Sequence, residues 1–256
     1  MSAGVDNRYG SLSAWAYDLD KPIGHSFGDV EFVLGRLKGC TGPILEPAVG
    51  TGRVLIPLLE AGHDVEGSDG SNEMLEICRR NCRARGLSPR LSQTRWDAFQ
   101  CDRKFAAIVM TAGTFMLIGE FETACAILRR FHDHLAPGGR LIFDISPDDC
   151  FTSDLSLRSW KTADGDLVTL QENKTELDYV MQRSVTPLRY EHWRDGKLVA
   201  SELETLTLRW WGMHELAMAL TAAGFSPPVI SGGFEHGRAP RSGDNVISFE
   251  AERGAG

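Results

Sequence analysis

Apolar residues fall into two kinds of pattern along this chain. Short compact runs read as strands: Ile44 up to Glu46, Asp64–Ser68, Phe105–Met110 and Arg140–Ile145, with Arg90–Thr94 a weaker one among them. A strand covered on both faces needs no polar alternation, so such runs predict parallel strands inside a sheet. Between them apolar residues recur at helical spacing. Phe27, Val30, Val33, Leu34 and Leu37 share one face behind a capping Ser26, Arg53–Glu60 suits a helix, and Ser71 caps another in the unit that runs to Arg85. Cys125, Leu128, Phe131 and Leu135 line one face of Glu122–Leu135, which Pro137-Gly138-Gly139 stops. Strands alternating with helices predict an α/β domain.

From residue 159 to 211 the period changes. Val168-Thr169-Leu170, Tyr179–Arg189 and Leu198–Trp211 are strand-like, and Asp164-Gly165 and Asp195-Gly196 are hairpin turn signals. Leu206, Leu208 and Trp210 alternate with Thr207, Arg209 and Trp211, which fits an antiparallel sheet with one face covered. Helical spacing returns over Gly212–Ala223, and Pro227–Ser231 with Val246–Glu250 predicts a closing antiparallel pair. The expected organisation is an N-terminal segment (1–42), a main domain (43–158 and 212–256) and an antiparallel insert (159–211).

Composition narrows this picture. At 256 residues and 42% hydrophobic, the chain suits one elaborated α/β domain. A formal net charge of −8 argues against a dedicated nucleic-acid binder. No apolar run approaches a membrane span, and MSAGVDNRYG lacks the regions of a signal peptide, so a soluble cytoplasmic protein is expected. Cys40, Cys78, Cys82, Cys101, Cys125 and Cys150 form no CxxC pair and read as free thiols, with no metal site.

The chemistry concentrates at Ile44–Leu59, ILEPAVGTGRVLIPLL. An acidic strand end, Glu46, leads into the small-residue turn Ala48-Val49-Gly50-Thr51-Gly52 and then a helix. Glycines there admit a ligand close to the backbone, and a helix N-terminus presents free N–H groups. A dinucleotide site wants a small third residue for helix–strand packing, and Leu55 stands there. The spacing that fits is E/D-x-x-x-G-x-G. On Glu46, Gly50 and Gly52 the chain resembles the class I S-adenosylmethionine-dependent methyltransferases. Ala48 stands where that family often has its first glycine. Leu135–Ile142, Leu-x-Pro-Gly-Gly-x-Leu-Ile, is similar to the family's approach to its fifth strand, and the resemblance spans about residues 14–251.

The resemblance implies a Rossmann-like seven-stranded, mostly parallel sheet with helices on both faces and an antiparallel β insert after strand 5. It implies S-adenosylmethionine as cofactor and S-adenosylhomocysteine as product. Tyr17-Asp18 matches a lid segment, and Asp69-Gly70 the ribose site, about twenty residues beyond the glycine turn. Met74 would press on adenine, Asp97 and Ala98 would meet its polar edge, and Thr111 would stand beside the reactive methyl. Trp15 and Tyr17 also suit simple docking of the segment onto the domain. Thr111-Ala112-Gly113-Thr114-Phe115 lacks the Asn/Asp-Pro-Pro-Tyr/Phe motif of many DNA adenine and protein glutamine methyltransferases.

An activated methyl needs alignment more than acid–base help, since fixing two reactants in line reaches effective molarities on the order of 10⁵–10⁸ M. The candidate catalytic groups are His25 and Tyr17. His25, Trp15, Thr114, Trp193, Trp211 and His214 are candidates for substrate contact, with His192, Tyr190 and Trp210 as further polar or aromatic groups in the insert. The expectation is methyl transfer to a nitrogen or oxygen of a small metabolite, without nucleic acid or membrane. The insert would serve as active-site cover or homodimer contact. An RNA or other macromolecule methyltransferase and a non-catalytic cofactor-binding protein are the alternatives.

Overall fold

The computed structural model describes residues 7–151, 155–173 and 175–254, so residues 1–6 of the expected N-terminal segment lie outside the described residues. The chain opens on helices α1 (Ser11–Asp20) and α2 (Asp29–Arg36). It then alternates: β1 (Ile44–Pro47), α3 (Leu55–Glu60), β2 (Val65–Asp69), α4 (Asn72–Arg83), β3 (Leu91–Gln93), β4 (Phe105–Met110), α5 (Phe121–His134) and β5 (Leu135–Ile145). Next come β6 (Ser156–Lys161), β7 (Leu167–Glu172), β8 (Glu176–Asp178), β9 (Arg183–Arg194) and β10 (Lys197–Arg209). Helix α6 (Met213–Ala222), β11 (Val229–Gly232) and β12 (Ile247–Glu252) close the fold.

Seven strands form one sheet in the order β11-β12-β5-β4-β1-β2-β3. β1 is parallel to both β2 and β4, while β12 is antiparallel to β5 and β11. The strand order reverses between β1 and β4, and in open α/β sheets ligands bind beyond the carboxyl ends at such a point. Apolar runs lack polar alternation here because both faces are covered. Ile44, Val109 and Ile142 pack with Val33, Leu37, Leu55 and Leu75, whereas Leu45, Ile108 and Phe143 pack with Leu128, Phe131 and Leu220. Arg36 and Arg140 both reach Glu250, each at 2.7 Å, which ties α2 to the sheet.

Several boundaries differ from expectation, for local reasons. α2 starts at Asp29 and not near Ser26, because Gly28 sits at φ 96°, and Phe27 is left 49% exposed instead of facing the core. β5 begins at Leu135, so Pro137-Gly138-Gly139 forms a bulge within the strand: Leu135 pairs with Phe105, and Arg140 with Ala107. A Cβ on Gly139 would stand 2.9 Å from the Phe105 carbonyl oxygen, so only glycine fits. β6 had no counterpart in the sequence pattern, since its six residues, SLRSWK, carry too little apolar alternation. On β10 the buried positions are Thr207 and Arg209 rather than Leu206 and Leu208, because this end of the strand, still paired with β9, is also met by distant parts of the chain, Asn7 bonding the Thr207 backbone. There Arg209 bonds the Met181 carbonyl, Gln182 and Glu215, over the Trp211 ring.

The second sheet, β10-β9-β7-β6 with β8 on β9, is antiparallel throughout. One of its faces receives α1: Leu12 and Ala16 pack on Val168, Leu170, Leu188 and Tyr190. α1 has no acidic residue in its first turn and no side-chain cap of its own. Strand β10 supplies acceptors instead. Glu204 Oε1 accepts from the Gly10 N–H (2.7 Å) and the Ser13 hydroxyl (2.7 Å), and Glu202 Oε2 accepts from the Leu12 N–H (2.9 Å). Carboxylates at a helix N-terminus also meet its dipole favourably. Replacing Glu204 by Ala is therefore expected to destabilise α1 by about 1–2 kcal/mol. Hydrogen exchange reads this as faster exchange over Gly10–Ala14 with β1 and β4 unchanged; equal protection in both proteins would contradict it.

Candidate active site

The turn after β1 is built from backbone that most residues avoid. Ala48, Gly50 and Gly52 have φ of 66°, 54° and 92°. The left-handed region costs a residue with a Cβ roughly 1–2 kcal/mol, which is why glycine is the usual occupant and why Ala48 is strained. A Cβ on Gly52 would stand 3.0 Å from Cys78 Sγ on α4, so this position also needs the close approach. Asp69, at the tip of β2, clamps the turn: Oδ2 accepts from the Gly50 N–H (2.9 Å) and Oδ1 from the Ser71 N–H (2.9 Å). Ser71 in turn caps α4 by accepting from the Met74 N–H at 3.1 Å. Burial pushes the Asp69 carboxyl up in spite of these donors.

Beside the turn, between the ends of β1 and β4, lies a cavity lined by Tyr17, Glu46, Arg53, Thr111 and Thr114 among others. Glu46 is 6% exposed, and its Oε2 is buried with no hydrogen-bond partner. Burial pushes its carboxyl well above the usual range, against the pull of the Arg53 charge. An unpaired carboxylate oxygen in a cavity wall is costly unless something binds there. Arg53 is 3% exposed and meets the fully buried Asp29 in a two-pronged pair, Nη1 to Oδ1 at 2.9 Å and Nη2 to Oδ2 at 2.5 Å. Burial alone would raise the Asp29 carboxyl, but its bonds to Arg53 outweigh that and hold it below the ordinary value. Arg53 Nη1 also donates to the His25 carbonyl (3.3 Å), and the guanidinium lies 5.2 Å from the Phe27 ring centre. The Tyr17 hydroxyl lies against Arg53, and burial raises its phenol further than that charge lowers it.

The loop after β4 is held from β5. Asp144 Oδ2 accepts from the Ala112 N–H (3.1 Å) and Oδ1 from the Gly113 N–H (2.6 Å), which fixes two successive residues with φ of 59° and 66°. The Thr114 hydroxyl donates to the Thr111 carbonyl at 2.6 Å.

Of the residues singled out in the sequence, Tyr17, Glu46, Ala48, Gly50, Thr111 and Thr114 share the cavity wall. Asp69, Gly70 and the buried Met74 adjoin it through the glycine turn. Asp97 and Ala98 lie in an exposed segment, with the Asp97 side chain 49% exposed and paired with Arg95 at 3.3 Å. His25 stacks edge-on to Phe27, its Nε2 buried and without a partner. Trp15 meets His192 edge-on at 5.0 Å, so it docks α1 on the insert. Trp193 is next to His192 on β9 and projects to the opposite face, away from α1. Trp211 is 4% exposed in the core between Phe115 and Phe121, and His214 is exposed on α6. The sequence reading missed the roles of Asp29, Arg53 and Asp144. Arg53 directly follows the glycine turn, and that adjacency was the available signal.

Comparison with known proteins agrees with this geometry. Residues 44–139 match the family described as a methyltransferase domain. The glycine/sarcosine N-methyltransferase of Halorhodospira halochloris is 37% identical over 118 residues, which is 44% of this chain and 44% of that protein. The match thus spans under half the length of this curated relative. Among solved structures, a sugar N-methyltransferase from Streptoalloteichus superposes with a TM-score of 0.74 at 20% identity, over 99% of both chains. An amino pentose methyltransferase from Micromonospora echinaspora, solved with S-adenosylmethionine bound, gives 0.70 at 19% identity over 96% of this chain and 98% of that one. The fold is that of the class I S-adenosylmethionine-dependent methyltransferases.

Asp144 gives this site a pH signature. Burial raises its carboxyl to about 7, so the folded protein keeps a proton that the unfolded chain releases. The stability this group contributes is complete below its unfolded pKa of about 3.9 and is lost as pH rises through about 7. Wild type is therefore expected to lose stability relative to Asp144→Asn between these limits. Denaturant midpoints across the window measure it, and a constant gap between the two proteins would contradict it.

Proposed function

We propose that this protein transfers the methyl group of S-adenosylmethionine to a nitrogen or oxygen of a small metabolite. The observation that carries this reading is the buried, unpartnered Glu46 carboxylate oxygen in the cavity at the switch point. The donor set suits an adenosyl amino acid. Glu46 offers an acceptor to an ammonium or sulfonium, and Asp69 offers a fixed carboxylate to ribose hydroxyls. The glycine turn admits the ligand's backbone contacts, with Gly70, Met74, Asp97 and Ala98 on the adenine side. Bound there, the cofactor supplies a methyl already activated by a sulfonium.

The protein's own part is to orient and to exclude water. α1, held on the insert by Glu202 and Glu204, brings Tyr17 to the cavity wall, so the helix acts as a lid over the reacting end. The loop fixed by Asp144 sets Thr111 and Thr114 on the opposite wall. An amine acceptor that arrives unprotonated needs no base. For an acceptor that must lose a proton, His25 Nε2 and the Tyr17 hydroxyl are the candidate groups. Known N-methyltransferases of glycine and of sugars among the similar proteins favour nitrogen. The acidic net charge favours a small acceptor in the cytoplasm over nucleic acid. The outer face of the insert is left for a homodimer contact.

Calorimetry tests the reading. S-adenosylhomocysteine is expected to bind saturably. Asp69→Ala is expected to weaken it by about 1–3 kcal/mol, through lost bonds to the ribose and a loosened turn. No binding by wild type would sink the proposal, and unchanged affinity in the variant would move the ribose contact elsewhere.

A further inference from the structure

Three aromatic rings stand together outside the cavity. The Trp210 ring, just past β10, has its centre 5.1 Å from that of Phe151 and 5.9 Å from that of Tyr179. Tyr179 is 72% exposed and Val180 90%, and Phe151 is exposed too, so the group faces water. Large apolar side chains gathered in one exposed patch mark a contact site. The turn that carries Tyr179 is held firmly. Asp178 Oδ1 accepts from the Val180 N–H (3.1 Å) and the Met181 N–H (3.0 Å). Arg209 Nη1 donates to the Met181 carbonyl (2.8 Å), and the Trp210 N–H donates to the Gln182 carbonyl (3.0 Å). A turn pinned in this way that still directs apolar side chains outward is pre-organised, which lowers the ordering cost of binding.

The patch continues the cavity wall. The Ser146 N–H donates to Met116 Sδ (3.2 Å), and a Cβ on Gly113 would stand 3.6 Å from Ser146 Oγ. The segment after β5 therefore starts on the loop that carries Thr111 and Thr114. One 3₁₀ turn, Pro147–Cys150, then leads to Phe151. At about 2 Å of rise per residue, Phe151 stands within roughly 10 Å of Ser146. Asp149 on this turn feels the charge of Lys21, whose ammonium lies 4.8 Å from the centre of the Tyr17 ring, and Tyr17 lines the cavity. Among the described residues on these segments the charges are mainly acidic. Asp148 and Asp149 precede Phe151, and Glu176 and Asp178 precede Tyr179. The nearby cation Arg183 is shared between Asp178 (3.7 Å) and Glu120 (3.2 Å).

We propose that Phe151, Tyr179 and Trp210 are the docking platform for the methyl acceptor, and that the acceptor is an amine carried on an aromatic body. This rests on the reading of the protein as an S-adenosylmethionine-dependent methyltransferase. Aromatic faces take both halves of such a molecule, since rings stack on them and an ammonium is drawn to their π electrons. The acidic rim attracts the cation and repels an acceptor that carries a carboxylate or phosphate. Resting on the rings, the acceptor directs its nitrogen back along the 3₁₀ turn toward Thr114. Its ammonium loses one proton to solvent. The freed lone pair forms the N–C bond as the S–C bond breaks, and that electron pair stays on sulfur.

Calorimetry with phenethylamine and 3-phenylpropionate, which join a phenyl ring to opposite charges, tests this assignment. Each is titrated with and without saturating S-adenosylhomocysteine, because the platform lies outside the cofactor's cavity. Wild type is expected to bind phenethylamine saturably and at least about 10-fold more tightly than 3-phenylpropionate. Tyr179→Ala is expected to weaken phenethylamine about 3- to 30-fold and to keep the affinity for S-adenosylhomocysteine within about 3-fold of wild type. If Tyr179→Ala does not fold, Phe151→Ala takes its place with the same expectation. No saturable binding of phenethylamine by wild type, equal binding of the two probes, or an affinity unchanged in the variant would each overturn the proposal. So would sedimentation that shows a wild-type dimer dissociated by Tyr179→Ala, because a second copy would then cover the rings. Phenethylamine binding as expected without any binding of S-adenosylhomocysteine would leave the rings as an aromatic-amine site and strike the cofactor reading instead.

Discussion

Buried charge at the strand tips is the constraint on which this structure depends. Asp29, Glu46, Asp69 and Asp144 are all at least about nine-tenths buried, with Arg53 the one arginine buried among them. A carboxylate taken out of water must be paired, hydrogen-bonded or protonated. Each of these groups meets the demand differently. Asp29 is paired with Arg53, Asp69 and Asp144 accept backbone N–H groups, and Glu46 keeps an oxygen with no partner. The last case is the informative one, because a fold that satisfies its neighbours so fully leaves one acceptor facing a cavity.

The same groups fix the geometry of the wall. Two turns with positive φ, after β1 and after β4, are held by carboxylates from the neighbouring strands, β2 and β5. Strained backbone persists where its surroundings over-determine it, and here one acidic side chain per turn does so. Helix α1 is fixed on the opposite side by a different use of the same chemistry. β10 lends two glutamates to the start of α1, and Arg53 receives Tyr17 from α1's second half. The antiparallel insert is therefore part of the site's construction, since it places the helix whose Tyr17 lines the cavity.

Much of this was legible in the residues. β4 falls on Phe105–Met110 as its pattern predicts, because a central parallel strand is apolar on both faces. Glu46 with Gly50 and Gly52, and Asp69 with Ser71, could be read because their chemistry is local in sequence. What was not legible depends on partners far along the chain. Asp29 and Arg53 are 24 residues apart, and each alone reads as an ordinary helix-end charge. Asp144 is 31 residues from the Gly113 N–H it accepts, and within RLIFDI it reads as a strand end. Thr207 and Arg209 are buried by residues far along the chain, Asn7 on the Thr207 backbone and Glu215 on Arg209, which alternation does not record. Asp97, a position matched by resemblance, lies half exposed on Arg95, apart from the buried group formed by Glu46 and Asp69.

The claim that Glu46 and Asp69 together receive one adenosyl amino acid is tested most directly by a crystal structure with S-adenosylhomocysteine bound. The account predicts the ribose hydroxyls on Asp69 and the amino-acid nitrogen within hydrogen-bond distance of Glu46 Oε2, with the sulfur turned toward Tyr17 and Thr114. A ligand found at another edge of the sheet, or one whose amino-acid end leaves Glu46 unpaired, would contradict it.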